Sequence, residues 1–308
     1  MNEKNRLTDH LFLFDIVNIF SLTIPIVLTG SSPDISNPAE YKKAINGLKD
    51  VFKITPSKRF IPIGFGASMK RPGIKNKNLF TENFLTIGDN LTVAAMIESI
   101  KLKIHQHGVS VADESVSILV TGPTGFIGSE LMSWILDNTC WKIIAKSSNK
   151  ARFDQQYLAH PQFSRVQCLA SFDDLTRIHP HVIILATHLD GSIPPISILQ
   201  GMSDDSLILD VCTPNVYTAD ELKEYKGRYY SSIAVEMDEL HWTLGNNTAV
   251  GHRSNTIWPC FCELALAIKE NINGFSREEL LDVSLINVDR MHKMALSNRM
   301  EYCFNIEV

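Results

Sequence analysis

Three glycines spaced three residues apart, Gly122, Gly125 and Gly128, lie between an apolar run and a helical pattern. The run before them, residues 116–121, is rich in β-branched side chains and is typical of a buried strand. Glycine at such positions allows a tight turn, close approach of a ligand to the backbone, and close packing of the helix on the strand. The pattern predicts the first strand–turn–helix unit of a doubly wound sheet.

The chain beyond residue 109 alternates short apolar runs with helical patterns, which predicts parallel strands joined by crossover helices. The predicted strands cover residues 116–121, 141–146, 166–170, 182–187, 207–211 and 228–232. Helical spacing marks residues 37–52 and 85–108. From residue 256 onward we expect helices only, the last opening at a capping box of Ser276 and Glu279. The predicted fold class is α/β, a Rossmann-like parallel sheet domain with a smaller N-terminal α/β domain and C-terminal helices.

The composition of the 308 residues excludes several classes of protein. A net charge of −5 argues against a protein that binds nucleic acid. Six cysteines without a CxxC pair argue against a zinc site or a disulfide framework, so we expect no metal and a cytoplasmic protein with reduced thiols. The apolar residues 11–30 include Asp15, Asn18 and Pro25, so we expect a buried strand or helix there and no membrane span.

The glycine turn predicts a dinucleotide site, because free N–H groups at a helix N-terminus bind phosphates; a tight turn without a ligand is the alternative. The end of the second predicted strand, residues 146–152, carries no carboxylate for a ribose hydroxyl. It carries three cations and hydroxyl donors instead, which favours the 2′-phosphate of NADPH. The residues expected to bind the cofactor in these two places are Gly122, Thr124, Gly125, Phe126, Ile127, Gly128, Ser147, Ser148, Asn149 and Arg152.

Ligands of open α/β sheets bind at the carboxyl ends of the strands, so the end of the fourth predicted strand should lie near the nicotinamide. This adds Ala186, Thr187 and His188 to the cofactor-binding residues, with a surface-loop role for His188 as the alternative. The sequence contains no YxxxK motif, so the acid pair of short-chain dehydrogenases is missing. We therefore expect hydride chemistry on a group other than a simple alcohol or ketone.

Cys260 is the candidate nucleophile. Pro259 is tolerated in the first turn of a helix, so a helix begins there and Cys260 falls in its first turn. The field of the helix N-terminus should lower the pKa of this thiol. Cys262 lies about 200° further round the helix and should face elsewhere. From the pattern alone, a packed core cysteine is the commoner alternative. Further polar candidates, each with a solvated or structural role as the alternative, are His241, Arg253 and Glu263.

These stretches resemble the long-chain fatty acyl-[acyl-carrier-protein] reductases, which form aldehydes. The resemblance covers roughly residues 63–302 and rests on residues 86–94, 120–129, 209–214 and 259–266. It implies that Cys260 attacks an acyl thioester, that NADPH reduces the acyl-enzyme to the aldehyde, and that Asp210 helps to shape the cofactor end of the site. Cys262 departs from the family, which has an alanine there, and the region before residue 63 is shorter than the family's.

The resemblance also implies an N-terminal substrate domain joined to a nucleotide domain. We expect a substrate domain at 1–85, a bridging helix at 86–108, an NADPH-binding Rossmann-like domain at 109–250, and C-terminal helices carrying the nucleophile at 251–308. Residues 38–80 hold ten basic and two acidic residues, a surface that would suit an acidic acyl carrier protein, with a solvated basic face as the alternative. The oligomeric state stays open.

Three alternative functions stay open at this stage. One is a thioester reductase of a secondary-metabolite pathway. The second is a reductase of the glutamyl-tRNA-reductase or shikimate-dehydrogenase type, which also couples an N-terminal domain to a nucleotide domain. The third is an NADPH-sensing binding protein without turnover. Loss of aldehyde formation in Cys260→Ser, with NADPH binding retained, would separate the covalent chemistry from the last two.

Overall fold

A computed structural model describes residues 11–20, 22–29, 37–54, 62–65, 69–80, 83–187, 192–202, 206–212, 215–246, 253–271 and 274–307. The chain forms two compact units. Unit 1 combines the residues up to Leu91 with those from Val235 to Glu301. Unit 2 combines Thr92–Ala234 with Tyr302–Val308.

The strands of the described residues are Leu11–Ile19 (β1), Leu22–Thr29 (β2), Ile63–Gly64 (β3), Leu85–Thr86 (β4), Ser117–Thr121 (β5), Lys142–Lys146 (β6), Val166–Cys168 (β7), Val182–Leu185 (β8), Leu207–Asp210 (β9), Arg228–Glu236 (β10), Leu240–Trp242 (β11), Thr256–Ile257 (β12) and Glu301–Glu307 (β13). The α-helices are Pro38–Ile54 (α1), Lys70–Lys75 (α2), Asp89–Gln106 (α3), Phe126–Asn138 (α4), Lys150–Tyr157 (α5), Leu175–Ile178 (α6), Ile196–Gln200 (α7), Pro259–Asn271 (α8) and Leu285–Ser297 (α9).

Unit 2 is built on a parallel sheet in the order β7-β6-β5-β8-β9-β10. Counted along the chain this order is 3-2-1-4-5-6, the doubly wound arrangement of Rossmann-like proteins. The four residues of β8 and of β9 are all buried, as expected for strands covered on both faces. The predicted mixed α/β, Rossmann-like fold class is confirmed.

Unit 1 contains two small sheets. One has the order β11-β1-β2, with β1 antiparallel to both neighbours, and the other pairs β3 with β4 in parallel. A core of Leu48, Phe65, Phe80, Leu85 and Ile87 packs helix α1 near these elements, because α1 has the helical apolar spacing expected at 37–52. Residues 11–30, expected as a buried strand or helix, contain the two strands of an antiparallel pair.

The C-terminal region differs from the all-helical prediction. The Ser276 N–H does bond the Glu279 carboxylate at 2.9 Å, as a capping box requires, yet no helix follows: residues 277–279 form a turn and Leu280 makes an isolated bridge with Thr86. Helix α9 begins only at Leu285, after Ser284, whose hydroxyl accepts from the Asn287 N–H. The final residues form strand β13, which pairs with β10 and extends the sheet. Tyr302, Phe304 and Ile306 favour a strand, and pairing with the distant strand β10 completes it.

The two units cut across the four successive segments that the sequence predicts. The expected bridging helix is divided at Leu91, and the C-terminal residues around α8 and α9 fold with N-terminal ones. Long-range backbone bonds produce this arrangement: Leu85 N–H donates to the Arg277 carbonyl at 3.0 Å, and Ile87 N–H donates to the Leu280 carbonyl at 3.4 Å.

Within the part of the chain that the structure describes, no helix combines the length and the apolar character needed to cross a bilayer.

Candidate functional site

The glycine turn of unit 2 connects β5 to α4. Gly122 adopts φ +66°, which favours glycine. A Cβ at this position would lie 2.7 Å from both the Ala186 carbonyl oxygen and the Thr187 Cβ, at the end of β8. The turn therefore contacts the neighbouring strand at the point where the strand order reverses, which is where open α/β sheets bind their ligands.

The other two glycines differ from each other in their surroundings. A Cβ on Gly128 would overlap the carbonyl oxygen of Gly122, so glycine allows α4 to pack close to the turn. A Cβ on Gly125 would meet only that same carbonyl oxygen, at 3.4 Å. Gly125 is the N-cap of α4 and supplies no side-chain cap, so the first turn of the helix is open toward a ligand. A dinucleotide pyrophosphate fits this cradle.

The other predicted residues of the turn surround this opening. Thr124 and Ile127 are partly exposed, and Phe126, the first residue of α4, is 40% exposed. A ligand bound at Gly125 could cover the exposed ring of Phe126. Tyr157, which the sequence analysis missed, supports the turn from α5: its hydroxyl donates to the Pro123 carbonyl at 2.6 Å. A lone tyrosine in a polar helix carries no sequence signal for this role.

The three cations predicted to bind a 2′-phosphate, at and after the end of β6, differ in whether they already have partners. Lys146 donates to the Ala170 carbonyl at 2.7 Å, and Lys150 pairs with Asp154 at 2.6 Å. Arg152 is exposed, and no ion pair of its guanidinium is found among the described residues. Arg152 is therefore the cation of this group left to meet an anionic ligand.

The polar residues beside Arg152 divide in the same way. The Asn149 carboxamide caps α5 by accepting from the Arg152 N–H at 2.9 Å. The Ser147 hydroxyl donates to the Asn149 carbonyl at 3.1 Å, so it too is used within the turn. Ser148 is exposed beside them. The turn is thus ordered by its own residues, with Ser148 and Arg152 facing solvent.

The carboxyl ends of β5 and β8 are joined by Thr121. Its buried hydroxyl donates to the Ile184 carbonyl at 3.3 Å and accepts from the Ala186 N–H at 3.1 Å. Ala186 and Thr187 therefore lie beside the glycine turn, and their contact with the nicotinamide stays a prediction. His188, predicted alongside them, lies outside the described residues.

Asp210 is fully buried at the end of β9. Its carboxylate accepts from the Cys212 N–H at 2.8 Å, the Val216 N–H at 2.6 Å and the Tyr229 hydroxyl at 2.6 Å. Burial raises the pKa of Asp210 above its usual range, while these donors oppose the rise. With three donors already bound, Asp210 orders the loop after β9; its part in shaping the cofactor end stays a prediction.

Unit 1 contains the predicted nucleophile. Cys260 lies in the first turn of α8, next to Pro259, and the residue is partly buried. Gly88, at φ +72°, packs against it: a Cβ on Gly88 would overlap the Cα of Cys260. This contact brings the residue before helix α3 directly onto the start of α8. Cys262 is fully buried, so the two thiols differ in access as the helical geometry predicted.

An ion pair lies next to this contact. Asp89 follows Gly88 and forms a salt bridge with Lys70, the first residue of α2. Burial is the largest effect and lowers the pKa of Lys70, but the negative groups Asp89, Cys260 and Glu263 together outweigh it, so the pKa of Lys70 is raised above its ordinary value. Lys70 is therefore held as an ammonium ion beside the Gly88–Cys260 contact.

Glu263 joins the same two helix ends. It lies one turn after Cys260, is fully buried, and accepts from the Thr86 hydroxyl and from the Leu91 N–H at 2.8 Å. Burial raises the pKa of Glu263 to about 7, against the effect of these donors. It is the member of the three further polar candidates that the structure brings to Cys260. His241 in β11 and Arg253 are exposed elsewhere in unit 1.

The expected lowering of the Cys260 pKa is wrong. Burial raises the pKa of this thiol to about 11, and the nearby carboxylates Asp89 and Glu263 add to the rise, while Lys70 opposes it. Loss of hydration around a thiolate outweighs the field of the helix N-terminus. In the described ranges, no group of three or more His, Cys, Asp and Glu side chains is placed to hold a metal ion.

The comparisons with known proteins return only distant similarity. No protein-family model matches the sequence, and no curated protein sequence matches it. Among solved structures, a dipicolinate synthase protein from Bacillus halodurans is similar with a TM-score of 0.42 and 12% identity, over 71% of this chain and 66% of that one. D-mandelate dehydrogenase from Rhodotorula graminis is similar with a TM-score of 0.33 and 12% identity, over 59% of this chain and 69% of that one.

A third similar structure is a 2-hydroxyacid dehydrogenase from Ketogulonicigenium vulgare, with a TM-score of 0.30 and 12% identity over 63% of this chain and 59% of that one. The chain thus spans slightly less than two thirds of the dipicolinate synthase chain. These neighbours are of the dehydrogenase and dipicolinate synthase type, not acyl-carrier-protein reductases, so the family resemblance drawn from the sequence motifs is wrong. Glycine turns and helix-start motifs of this kind recur wherever a strand and a helix meet at a phosphate site.

Proposed function

We propose that the protein is an oxidoreductase that binds a nicotinamide dinucleotide at the glycine turn of unit 2. The observation that carries the proposal is the open space beside Gly125, where a Cβ would meet only one carbonyl oxygen. This space lies at the N-terminus of α4, which has no side-chain cap, and at the point where the strand order of the doubly wound sheet reverses. A nicotinamide dinucleotide, when bound, supplies a hydride. The chain's own residues hold its phosphates with backbone N–H groups and support the turn through Tyr157.

NADPH is the proposed form of the cofactor. Arg152 is exposed at the end of β6 and carries no ion pair among the described residues, while the neighbouring cations are engaged with partners of their own. No carboxylate stands at this strand end to accept from a ribose hydroxyl. A 2′-phosphate would give Arg152 the anionic partner it lacks.

The sharpest test exchanges Gly125 for alanine. The added Cβ fits the protein but projects into the space proposed for the pyrophosphate, so Gly125→Ala should keep the wild-type melting temperature and weaken NADPH binding by about tenfold or more. The matched control is Gly201→Ala, because a Cβ there meets only carbonyl oxygens, at 3.5 and 3.9 Å. Gly201 follows the C-terminus of α7, whereas Gly125 precedes the N-terminus of α4, so only the Gly125 variant should affect a phosphate site. Equal NADPH affinity in both variants, measured by cofactor fluorescence, would rule out the site.

We further propose, as the finer function, that Cys260 accepts an acyl group from a thioester on the way to an aldehyde. The Cys260 thiol would lose its proton to solvent and its sulfur would form a bond to the carbonyl carbon. The bond to the leaving thiolate would break, and that thiolate would take a proton from solvent. The supporting observation is the position of Cys260, partly exposed in the first turn of α8 with the Lys70 ammonium nearby.

The acyl-transfer step can be tested without the cofactor. Incubation with acyl thioesters should add the acyl mass to wild-type protein and to Cys303→Ser, which removes another partly exposed thiol. Cys260→Ser should gain no mass and should still bind NADPH. If wild-type protein gains no mass while NADPH binds normally, the thioester chemistry fails and the oxidoreductase must act on another group or only sense the nucleotide.

The carrier of such an acyl group is proposed separately. The basic segment 38–80 suggested an acidic carrier protein, but several of its cations already interact within unit 1. These are Lys43 with Glu40, Lys70 with Asp89, Lys77 with Glu278, and Lys75 over the ring of Tyr41. Comparing thioesters on a carrier protein with those on coenzyme A, in the same mass assay, tests whether a carrier is needed.

A further inference from the structure

Two helix ends meet at the Cys260 thiol. Gly88 contacts the Cα of Cys260 so closely that no other residue fits. The next residue, Asp89, is 2% exposed and pairs with Lys70, whose side chain is 17% exposed. The Asp89–Lys70 ion pair therefore lies next to the first turn of α8, which holds Cys260.

The charges around Cys260 act in opposite directions. Burial is the largest effect on its pKa and raises it, Lys70 lowers it, and Asp89 and then Glu263 raise it. A thiol in this setting is protonated near neutral pH, and its anion depends on the one neighbouring charge that favours it.

We propose that Lys70, held in place by Asp89, is the positioning residue that stabilises the thiolate of Cys260 and so makes it a site for electrophilic carbon. This inference rests on the proposed role of Cys260 as a nucleophile and names the group on which that role depends. Lys70 acts as a fixed charge and not as a base, because an ammonium ion paired with Asp89 has no lone pair to accept the thiol proton. The proton of Cys260 passes to water.

The test measures alkylation of Cys260 by iodoacetamide as a function of pH, resolved by peptide mass spectrometry. The reaction forms a sulfur–carbon bond, breaks the carbon–iodine bond and releases iodide, while the thiol proton passes to buffer. Each unit by which the pKa rises lowers the thiolate fraction about tenfold but raises its nucleophilicity, so the net rate at fixed pH falls about threefold.

The variants should change the alkylation rate of Cys260 in opposite directions. Lys70→Met should move the pH midpoint upward and slow alkylation at pH 8, whereas Lys70→Arg should restore most of the rate. Asp89→Asn should speed up alkylation, since Asp89 is the anion with the larger opposing effect on the thiolate, and Glu263→Gln should speed it up by less. The double variant Lys70→Met/Asp89→Asn removes both members of the ion pair and should fall between the two single variants.

Internal controls separate electrostatics from damage to the fold. Cys140 and Cys168 are exposed and should react at unchanged rates in every variant. Cys212 and Cys262 are buried and should stay unlabelled if the protein is folded. If Lys70→Met and Asp89→Asn shift the midpoint in the same direction, or if Lys70→Met leaves it unchanged, the role of Lys70 is refuted.

Failure of this inference is distinguishable from failure of the proposed function. The alkylation assay uses neither NADPH nor an acyl substrate. A reactive Cys260 that depends on Lys70 but never becomes acylated would uphold the thiol site and refute the thioester reaction. Acylation that proceeds equally in Lys70→Met would uphold the reaction and refute the role of Lys70.

Discussion

The glycine turn of unit 2 and the thiol cluster of unit 1 are assembled in different ways. The turn is made of seven consecutive residues, Gly122 to Gly128, whose contacts are mostly with one another and with the adjoining strand. The thiol cluster joins Lys70 of α2, Asp89 of α3 and Cys260 of α8, which are far apart in the chain. A site made from one local segment can be recognised from its sequence, whereas the chemistry of the other depends on neighbours that only folding supplies.

The largest expected effect concerns the glycine that holds each site. Gly88→Ala would force a Cβ into the Cys260 backbone, and Gly128→Ala would force one into the Gly122 carbonyl. Each should lower the free energy of unfolding by about 3 kcal/mol or more, because neither clash can be relieved by moving a flexible side chain. Urea unfolding combined with hydrogen exchange measures the loss and locates it in unit 1 or unit 2.

The control for Gly88→Ala is Gly245→Ala. Gly245 has φ +73° in the same unit, but a Cβ there meets nothing within 4 Å. It shares the backbone strain of about 1–2 kcal/mol without the clash. Equal losses in the two variants would mean that the Cys260 contact is not tight, and the difference between the two sites would then disappear.

The second effect is a pH dependence specific to unit 1. The pKa of Glu263 is about 7 in the folded protein against 4.5 as its ordinary value. The folded state therefore binds the proton more tightly, so this residue's stabilising contribution is present below about pH 4.5 and is lost as the pH rises through about 7. The loss across this window is on the order of 3 kcal/mol.

Glu263→Gln should remove this slope, leaving the unfolding free energy flatter between these two pH values. Urea titrations at several pH values measure it. Glu270→Gln, on the exposed side of the same helix, should keep the wild-type slope. A wild-type slope in Glu263→Gln would show that the buried carboxylate is not the group that titrates.

The third effect tests the cofactor end of unit 2. Arg152→Ala should weaken NADPH binding by about tenfold and leave NADH binding unchanged, because only NADPH carries the 2′-phosphate. Isothermal titration with both nucleotides measures the ratio. Lys150→Ala removes an adjacent cation that is already paired with Asp154, and it should alter neither affinity by more than about twofold. The same loss for both nucleotides in Arg152→Ala would exclude a 2′-phosphate contact.

The smallest expected effect tests whether the glycine turn depends only on its own residues or also on Tyr157 of α5. Tyr157→Phe removes the hydrogen bond to the Pro123 carbonyl and should cost about 1 kcal/mol of stability and weaken NADPH binding a few-fold. Tyr225→Phe is the matched control, because its buried hydroxyl bonds Ser206 at 3.0 Å, before the start of β9. It should cost the same stability without changing NADPH affinity. An NADPH affinity unchanged in Tyr157→Phe would mean that the turn needs no support from α5.

More of unit 2 than of unit 1 could be predicted from the sequence, because its strands are marked by local patterns. Apolar runs at 116–121, 182–187 and 207–211 were enough to locate β5, β8 and β9, because strands buried on both faces are continuously apolar. Residues 11–30 were expected as a strand or a helix, because an apolar run alone does not distinguish the two, and the structure has the hairpin strands β1 and β2 there. The final strand β13 was not foreseen, because its partner β10 lies far away in the chain.

The predicted site residues follow the same division. The spacing of Gly122, Gly125 and Gly128 alone determined the turn and its steric requirements, since those depend on backbone geometry within a few residues. Pro259 alone determined where α8 begins and hence which turn holds Cys260. Only the tertiary structure decided the state of that thiol and the partners of Lys70 and Arg152. Desolvation and ion pairing are set by groups that meet only after the chain has folded, and no local pattern encodes them.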